Sequence, residues 1–328
     1  MTITIYDVAR EANVSMATVS RVLNGNPNVK PETRRKVKDV IERLNYKPNA
    51  VARGLASKKT KTVGVIIPDI SDLYYSAVLR GLEEIAEMYK YQIIITNTDN
   101  DAKKEFDAFE TLRSNQVDGI IFLGGTDDKS VIESIQRTTT PVVVCGYSKD
   151  MSIYRVNANY RDAIERVVQG FIDRGNEKIA YVQSGYHNIL ENILADKIIE
   201  VLERNNMSKD NMFEFYANTY EEGMDLFSEV KEVKADAVIA ISDEVAGGIL
   251  HGTLDENISV PEDLEVISCS NTRIAYMMRP RLSTIAVPLY DVGAVGMRLL
   301  TKLMNNEEVE EKINVLPLDI NYAKTTRV

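Results

Sequence analysis

From Thr62 onward, short apolar runs alternate with longer amphipathic stretches, and this alternation restricts the possible folds more than any other feature of the chain. Short apolar runs are typical of parallel strands buried on both faces, and the stretches between them have helical spacing. Two such series predict an α/β body of two doubly wound parallel lobes, with a ligand cleft at the carboxyl ends of their strands. The predicted strands are 63–67, 93–96, 119–123 and 142–145, followed by 179–183, 237–241 and 264–268.

The net charge of −10 is unevenly distributed along the chain. Residues 1–60 contain 12 Lys and Arg against 5 Asp and Glu, a net charge of +7, so the remainder carries −17. Duplex DNA attracts basic surfaces and repels acidic ones. The basic head therefore favours nucleic-acid binding by the first 60 residues, although the average charge alone argues against it.

Several functional classes are disfavoured by what the sequence lacks. Cys145 and Cys269 are the only cysteines and lie far apart, which predicts no disulfide framework and a reducing, cytoplasmic location. Two histidines and no HExxH motif offer little for a metal site, and GxGxxG, Walker and GxSxG patterns are missing. We therefore expect no catalysis, no metal and no cofactor. The polar start and the lack of an apolar run of ~20 residues predict neither a signal peptide nor a membrane span.

The basic N-terminal segment has the pattern of a helix-turn-helix. Thr4 and Asp7 are spaced as a capping box for a first helix, and Asn13 can adopt the left-handed conformation of a tight turn. Ser15 is a suitable N-cap for a second helix over residues 16–23, which ends at an Asn-Gly pair. In such a motif the second helix lies in the major groove with its first residues at the base edges.

The outer face of this second helix is the predicted DNA-contacting surface. Arg21 suits a bidentate contact to guanine, and Met16 and Ala17 suit the methyl group of thymine. A third helix is predicted to begin at Pro31, and its apolar stripe is assigned to the core of this domain, residues 1–47. The basic run 34–36 on that helix is equally compatible with a solvated surface and with phosphate contacts.

Residues 48–57 are predicted to form a short, weakly helical segment that contains Gly54. A helix of this length is marginal in water by itself, because helices below ~12 to 15 residues rarely persist alone. We predict a hinge and linker over residues 48–61. A plain linker, with Leu55 packed on its own domain, is the alternative.

Long segments of the sequence resemble the lac repressor/galactose repressor family of bacterial regulators. The resemblance covers nearly the whole chain. It implies a periplasmic-binding-protein-like body, with one lobe formed by residues 62–160 plus 288–322 and the other by 161–287. It also implies that hinge helices pair across a dimer in the DNA minor groove, where Leu55 wedges into a base step and bends the duplex. The segments that carry it are IYDVAREANVSMATVSRVLNG, TRRKVKDVIERLNYKPNAVARGLAS, VGVIIPDISDLYY and VPLYDVGAVGMRLL.

The same resemblance implies a set of DNA contacts in the head and the hinge. They are Thr4, Ile5, Tyr6, Ser15, Met16, Ala17, Thr18, Ser20, Arg21, Asn24, Asn28, Asn49, Ala52, Leu55, Ala56 and Lys58.

The predicted cleft lacks two charged groups that sugar- and purine-sensing relatives use. The segment ENILADKIIEV has Asp196 and Lys197 where those relatives carry an Arg, and VISCSNTR places Ser270 where they carry an Asp. A tight site for a free sugar is therefore doubtful. The candidate effector residues that remain are Asp69, Ser71, Tyr74, Tyr75, Asp243 and Ser270.

A second candidate surface lies near the C-terminus, where Asp291, Val295, Arg298 and Lys302 have helical spacing. Arg298 and Lys302 form a pair of cations one turn apart that suits a phosphate, although an ordinary surface helix explains the same spacing. The resemblance favours the first interpretation, since in similar family members this helix binds HPr, the phosphocarrier of the sugar phosphotransferase system, phosphorylated on a serine. The implied partner contacts are Tyr89, Tyr290, Asp291, Val295, Arg298 and Lys302.

These observations predict a transcriptional regulator of carbon catabolite repression and activation. It would bind pseudo-palindromic operators as a homodimer when complexed with serine-phosphorylated HPr, with glucose 6-phosphate or fructose 1,6-bisphosphate as adjunct effectors. The alternative is a dimeric regulator controlled by a small sugar or sugar phosphate in the cleft. A binding protein for a soluble ligand is a more distant third hypothesis, because it leaves the basic head unexplained.

Overall fold

A computed structural model describes residues 3–23, 25–46, 59–186 and 189–327. The chain divides into two compact units, residues 1–60 and 61–328, which we call the head and the body. The described part of the head is helical, and the body alternates strands and helices. The predicted fold class, an all-α helix-turn-helix head followed by a two-lobed α/β body, is confirmed.

The head contains the helices α1 (Ile5–Glu11), α2 (Met16–Leu23) and α3 (Pro31–Arg43). The Asp7 carboxylate accepts hydrogen bonds from the amide of Thr4 at 3.0 Å and from its hydroxyl at 2.8 Å, so the predicted capping pair does start α1. Asn13 has a φ of +48° in the turn between α1 and α2, as expected. The three helices enclose a small apolar core of Val8, Ala9, Ala12, Val19, Val22, Val37 and Val40.

The first lobe of the body is built on a six-stranded sheet in which every pairing is parallel, in the order β11-β5-β4-β3-β1-β2. Helices α4 (Leu73–Met88) and α12 (Leu289–Met304) cover one face, and α5 (Ala102–Ser114) and α6 (Lys129–Arg137) cover the other. Both faces are therefore buried, as the apolar strands require. The strands are β1 (Thr62–Ile67), β2 (Gln92–Asn97), β3 (Gly119–Gly125), β4 (Val142–Tyr147), β5 (Tyr154–Ala158) and β11 (Ile313–Leu316).

The second lobe has a sheet in the order β12-β10-β9-β8-β6-β7, parallel except for the antiparallel pair β10 and β12. Its strands are β6 (Ile179–Gln183), β7 (Met212–Tyr216), β8 (Ala237–Ala240), β9 (Glu265–Ser268), β10 (Ser283–Ala286) and β12 (Asp319–Asn321). Its helices are α7 (Tyr160–Asp173), α8 (Ile189–Arg204), α9 (Tyr220–Glu232), α10 (Asp243–Asp255) and α11 (Arg273–Met277), with a 3-10 turn at Lys209–Asn211.

The chain passes between the two sheets three times, between β5 and β6, between β10 and β11, and between β11 and β12. The last crossing differs from the expected boundary, which placed residues up to 322 in the first lobe. β12 instead pairs with β10 through Thr284–Asn321, Ile285–Ile320 and Ala286–Asp319. The first lobe therefore ends near residue 316. The sequence could not show this boundary, because a strand of three residues is too short for its periodicity to indicate which sheet it joins.

One predicted strand has a different environment from the one expected. Residues 93–96 were predicted to be buried, but β2 lies at the edge of its sheet and pairs only with β1. Ile94 and Ile95 are 41% and 39% exposed. An apolar run cannot distinguish an edge strand from a central one, since both carry the same side chains. Sequence analysis also missed β5, in which the polar Arg155 and Asn157 are buried.

Two Gly-Gly pairs, Gly124-Gly125 and Gly247-Gly248, contain close-packing positions. Gly125 has a φ of +117°, and a Cβ there would lie 2.2 Å from the carbonyl oxygen of Tyr147. A Cβ at Gly248 would lie 2.1 Å from the carbonyl oxygen of Tyr220. Neither site could accept a side chain without backbone movement.

Candidate functional sites

The described DNA-contact candidates lie on α1, on α2 and in the turn after α2. Arg21 is exposed, and among the described residues it takes part in no ion pair, so its guanidinium is free to contact another molecule. Thr4, Tyr6, Ser15, Met16, Ala17, Arg21 and Asn28 are exposed, whereas Ile5, Thr18 and Ser20 are half-buried. The remaining candidates, Asn24, Asn49, Ala52, Leu55, Ala56 and Lys58, lie outside the described residues.

The start of α2 is fixed by its own polar side chains. The Ser15 hydroxyl accepts a hydrogen bond from the amide of Thr18 at 3.2 Å, and the two hydroxyl oxygens are 2.9 Å apart. These bonds fix the first turn, the part of a recognition helix that meets the bases.

The basic run on α3 divides into two roles. Arg34 is half-buried and its guanidinium donates to the carbonyl of Asn26, in the turn that follows α2. Arg35 and Lys36 are exposed. Arg34 thus stabilises the turn, and only its two neighbours are free to contact phosphate.

The second candidate surface, predicted near the C-terminus from helical spacing, lies on one exposed stripe of α12, which we call the α12 stripe. Tyr290, Asp291, Arg298 and Lys302 are exposed and Val295 is half-buried, while the other residues between 289 and 301 are buried. Tyr89 is also exposed and lies directly after the last residue of α4.

Helix α12 is held against α4 by contacts between their backbones. A Cβ at Gly293 would lie 1.9 Å from the carbonyl oxygen of Val78, and one at Gly81 would lie 2.0 Å from that of Tyr290. The Tyr290 hydroxyl donates to the Glu84 carboxylate on α4 at 2.7 Å. This bond, together with Arg80, holds the pKa of Glu84 below its ordinary value. The two helices therefore present one continuous surface.

The charges of this surface are arranged unevenly. Arg80 on α4 is paired with Glu83 at 3.2 Å and with Glu84 at 2.7 Å. In contrast, Arg298 and Lys302 form no ion pair with any residue that the structure describes. The α12 stripe thus offers two unpaired cations one helical turn apart, beside an acidic stretch of α4.

The predicted cleft is present as a cavity of about 240 Å³ at the carboxyl ends of strands from both sheets. Asp69, Tyr74, Tyr75 and Ser270 line it, as expected. The Tyr74 and Tyr75 rings meet edge to face with centroids 5.3 Å apart. Burial raises the pKa of Tyr74 to about 12, so its hydroxyl is neutral near pH 7.

The other two effector candidates, Asp243 and Ser71, already form hydrogen bonds within the protein. Asp243 is buried, and its carboxylate accepts hydrogen bonds from the Ser268 hydroxyl and from the amides of Asn271 and Thr272. The amide and hydroxyl of Ser71 donate to Asp69 at 2.8 and 2.7 Å. Both residues line a smaller adjoining cavity of about 190 Å³, where these bonds organise the loops.

Sequence analysis missed Glu191, a buried carboxylate of the cleft at the start of α8. It is 3% exposed, lines the 240 Å³ cavity and accepts hydrogen bonds from the Ser184 amide at 3.1 Å and hydroxyl at 2.7 Å. Lys197, singled out from the sequence, does not line the cavity and pairs with Glu165 at 2.6 Å and Glu200 at 2.7 Å. An acidic residue in a first helical turn is ordinary, so the sequence held no signal for Glu191.

Burial raises the pKa of Glu191 to about 7, which makes stability depend on pH. As pH rises, the unfolded chain loses the Glu191 proton first, because its carboxyl has an ordinary pKa. The folded protein keeps this proton to higher pH. Stability is therefore lost as pH rises towards 7. At pH 8, Glu191→Gln should raise the free energy of unfolding by about 1 to 3 kcal/mol, and near pH 4.5 the gain should disappear. Urea unfolding of the variant and of the unchanged protein at both pH values measures this difference in the free energy of unfolding. Glu203→Gln, at an exposed position of the same helix, is the control, and equal pH profiles for both variants would contradict the prediction.

Within the described ranges, no three His, Cys, Asp or Glu side chains cluster so as to hold a metal ion. No helix among the described residues is long and apolar enough to cross a bilayer.

The sequence matches two known protein families and several characterised relatives. Residues 4–49 match "Bacterial regulatory proteins, lacI family", and residues 168–326 match "Periplasmic binding protein-like domain". Catabolite control protein A of Staphylococcus xylosus is 51% identical over 329 residues, and that of Staphylococcus aureus strain MRSA252 is 54% identical over 331. Each match covers 100% of both chains.

Solved structures show the same similarity. The transcription regulator CcpA of Lactococcus lactis has a TM-score of 0.75 and 38% identity, and the match covers 81% of this chain and 99% of that one. The lac repressor dimer bound to operator and the anti-inducer ONPF has a TM-score of 0.90 over 100% of both chains. Its identity is 22%, so that likeness concerns the fold alone.

Proposed function

This chain belongs to the lacI family of bacterial regulatory proteins and is a DNA-binding transcriptional regulator similar to catabolite control protein A, and from that premise we propose that serine-phosphorylated HPr is its corepressor. In this proposal the protein acts in the cytoplasm as a homodimer on pseudo-palindromic operators. Its role is the repression or activation of carbon-utilisation genes.

The observation that supports the proposal best is the presence on α12 of two neighbouring cations that lack a counter-ion among the described residues. Arg298 and Lys302 are exposed, lie one turn apart, and have no counter-ion among the described residues. A guanidinium binds a phosphate through two parallel N–H donors, and a second cation adds Coulomb attraction. Tyr290 and Val295 on the same stripe provide apolar area, as interface centres usually do.

Specificity for the phosphorylated partner follows from the charges around this pair. Glu83 and Glu84 lie on the neighbouring helix, where Arg80 neutralises them in part. A partner that approaches without its phosphate leaves Arg298 and Lys302 desolvated and unpaired, which is costly. The phosphate removes that cost, and Asp291 is available for a basic group of the partner.

We propose that corepressor binding shifts a population of body arrangements towards the one that pairs two hinges on DNA. The partner must bind that arrangement more tightly than the others, since equal affinity would shift nothing. The stripe is formed by α12, which lies between β10 and β11, in the second crossing between the lobes, so we expect a movement of one lobe against the other to act on this helix.

Operator binding by the purified full-length protein tests the proposal. We expect serine-phosphorylated HPr to raise operator affinity strongly, and unphosphorylated HPr, glucose and sugar phosphates alone to raise it little. A comparable effect of a sugar or sugar phosphate by itself would instead support the second candidate, a regulator controlled from the cleft. Equal effects of phosphorylated and unphosphorylated HPr would refute the phosphate role.

The second candidate is favoured by the cavity at Asp69, Tyr74 and Ser270. On the family resemblance we retain glucose 6-phosphate and fructose 1,6-bisphosphate as proposed adjunct effectors. The described lining of this cavity contains three carboxylates, Asp69, Asp72 and Glu191, and no Lys or Arg. A phosphate there would be held by hydroxyl and backbone donors alone, which predicts weak binding.

In the hinge, Leu55→Ala should leave the body folded and dimeric but weaken specific operator binding by roughly tenfold, about 1.4 kcal/mol. The reason is the loss of an apolar wedge that bends the duplex. Gel-shift assays with circularly permuted operator fragments measure both affinity and bend angle. An unchanged bend angle and affinity would show that Leu55 is not the wedge.

A further inference from the structure

A second polar cavity, beside the cleft, lies where the N-termini of α5 and α6 approach the carboxyl ends of β1 and β3. We call it the α5–α6 pocket, and its volume is about 370 Å³. It shares Tyr75, Asn100 and Gly124 with the 240 Å³ cavity, and its other lining residues belong to the first lobe except for Ile189 at the start of α8. This volume is in the range of small-molecule sites.

Two polar atoms in this pocket are buried without a hydrogen bond. Oε1 of Glu105 and Oγ1 of Thr126 belong to neighbouring side chains but form no hydrogen bond of normal geometry with any described residue, and Thr126 is only 4% exposed. Buried polar atoms are normally satisfied, because desolvation without a partner costs about 1 to 3 kcal/mol. A ligand that donates to Glu105 and bonds to Thr126 would remove this cost.

The charged side chains next to Glu105 indicate the sign of the charge that a ligand of this pocket would carry. Burial is the main reason that the pKa of Glu105 rises to about 7, and Asp128 and Asp127 contribute to the rise, while the nearby Thr126 hydroxyl opposes it without forming a hydrogen bond of normal geometry. Its strongest charged neighbours are therefore carboxylates. Although Lys129 also lines the pocket and Lys149 pairs with Asp127 at 3.1 Å, neither is a main influence on Glu105.

The remaining walls indicate the shape of the ligand. The lining includes three apolar residues, Ile66, Pro68 and Phe122, which we call the apolar wall, together with the polar side chains of Thr98 and Asn100. A compound with several hydroxyl groups and one face of C–H bonds is complementary to such a lining. Both helix N-termini are already capped by the carboxylates of Asp101 and Asp128, which makes them poor sites for an added anion.

We propose that the α5–α6 pocket binds a small, hydroxyl-bearing organic cation, with its ammonium group on Glu105 and a hydroxyl group on Thr126. The ammonium donates to Oε1 of Glu105, and the apolar wall packs against the carbon skeleton. This site is independent of the proposed corepressor surface, since it uses no residue of the α12 stripe.

Titration of the full-length protein at pH 7 with glucosamine, glucose and glucosamine 6-phosphate tests the inference. Glucose differs from glucosamine only in carrying a hydroxyl instead of the ammonium. We expect glucosamine to bind at least about tenfold more tightly than glucose, as a single charged hydrogen bond predicts. Equal affinities, or no glucosamine binding at millimolar concentration, would overturn it. Tighter binding of glucosamine 6-phosphate would also do so, because it would identify an anion site.

Two variants and a control locate the ligand. Glu105→Gln keeps the shape of the side chain and should abolish the preference for glucosamine over glucose, and Thr126→Val should weaken both sugars. Glu110→Gln is the matched control, because Glu110 lies on the same helix, pairs with Arg113 at 2.7 Å and does not line the pocket. Retention of the preference in Glu105→Gln, or its loss in Glu110→Gln, would refute the assignment.

Discussion

Replacing Arg298 by Ala is expected to weaken the binding of serine-phosphorylated HPr by ~2 to 5 kcal/mol, from about thirtyfold to a few thousandfold. Arg298 is the more central of the two unpaired cations, since it lies between Val295 and Lys302 on the stripe, while Lys302 lies in the last turn of α12. Its planar guanidinium also suits a phosphate better than an ammonium does. Lys302→Ala should therefore cost less, about tenfold.

Calorimetry with phosphorylated and unphosphorylated HPr measures this effect. Arg137→Ala is the control, because Arg137 is an exposed arginine on α6 whose pair with Glu133, at 3.5 Å, is of the weak surface kind. The control should bind like the unchanged protein. If Arg298→Ala lost the same factor with both forms of HPr, the residue would contribute general contact area and would not recognise the phosphate.

Gly293→Ala is expected to lower the free energy of unfolding of the body by about 3 kcal/mol or more, and to weaken corepressor binding as well. The added Cβ would meet the carbonyl oxygen of Val78 at 1.9 Å, so α12 must move away from α4. That movement separates Tyr290 from Glu84 and divides the surface that the two helices form. Urea unfolding and calorimetry report the two effects.

Gly170→Ala is the matched control, since Gly170 also lies inside a helix. A Cβ there would lie 3.0 Å from Nη1 of Arg174 and 3.8 Å from its Cζ and Nη2, and Nη1 is the guanidinium nitrogen that makes no bond to Glu265. Alanine favours a helix by up to about 1 kcal/mol, so this variant should be neutral or slightly more stable. A similar loss in both variants would mean that the close approach of α4 and α12 is unimportant.

Much of the head and of the partner stripe was predictable because both depend on local sequence. The capping pair at Thr4, the turn at Asn13 and the start of α2 at Ser15 involve residues a few positions apart. The stripe on α12 follows from helical periodicity in the same way. In each case the sequence spacing sets the spatial arrangement directly.

The cleft was less predictable because its polar groups come from distant parts of the chain. Asp243 looked available from the sequence but is hydrogen-bonded by residues around 270. Glu191 looked ordinary but is buried against Ser184. The pairing of Thr126 and Glu105 in one pocket likewise requires β3 and α5 to meet.

By itself, the sequence determined the class of this protein: a basic helix-turn-helix head, an acidic body of two parallel sheets, and a helix with two cations on one face. Only the tertiary structure decided that β12 belongs to the second sheet, that β2 is an exposed edge, and that Arg298 and Lys302 lack a counter-ion among the described residues. The physical reason is that helix faces and caps arise from neighbours in sequence. Strand order, burial of a polar group and the pairing of a charge depend on residues that only folding brings together.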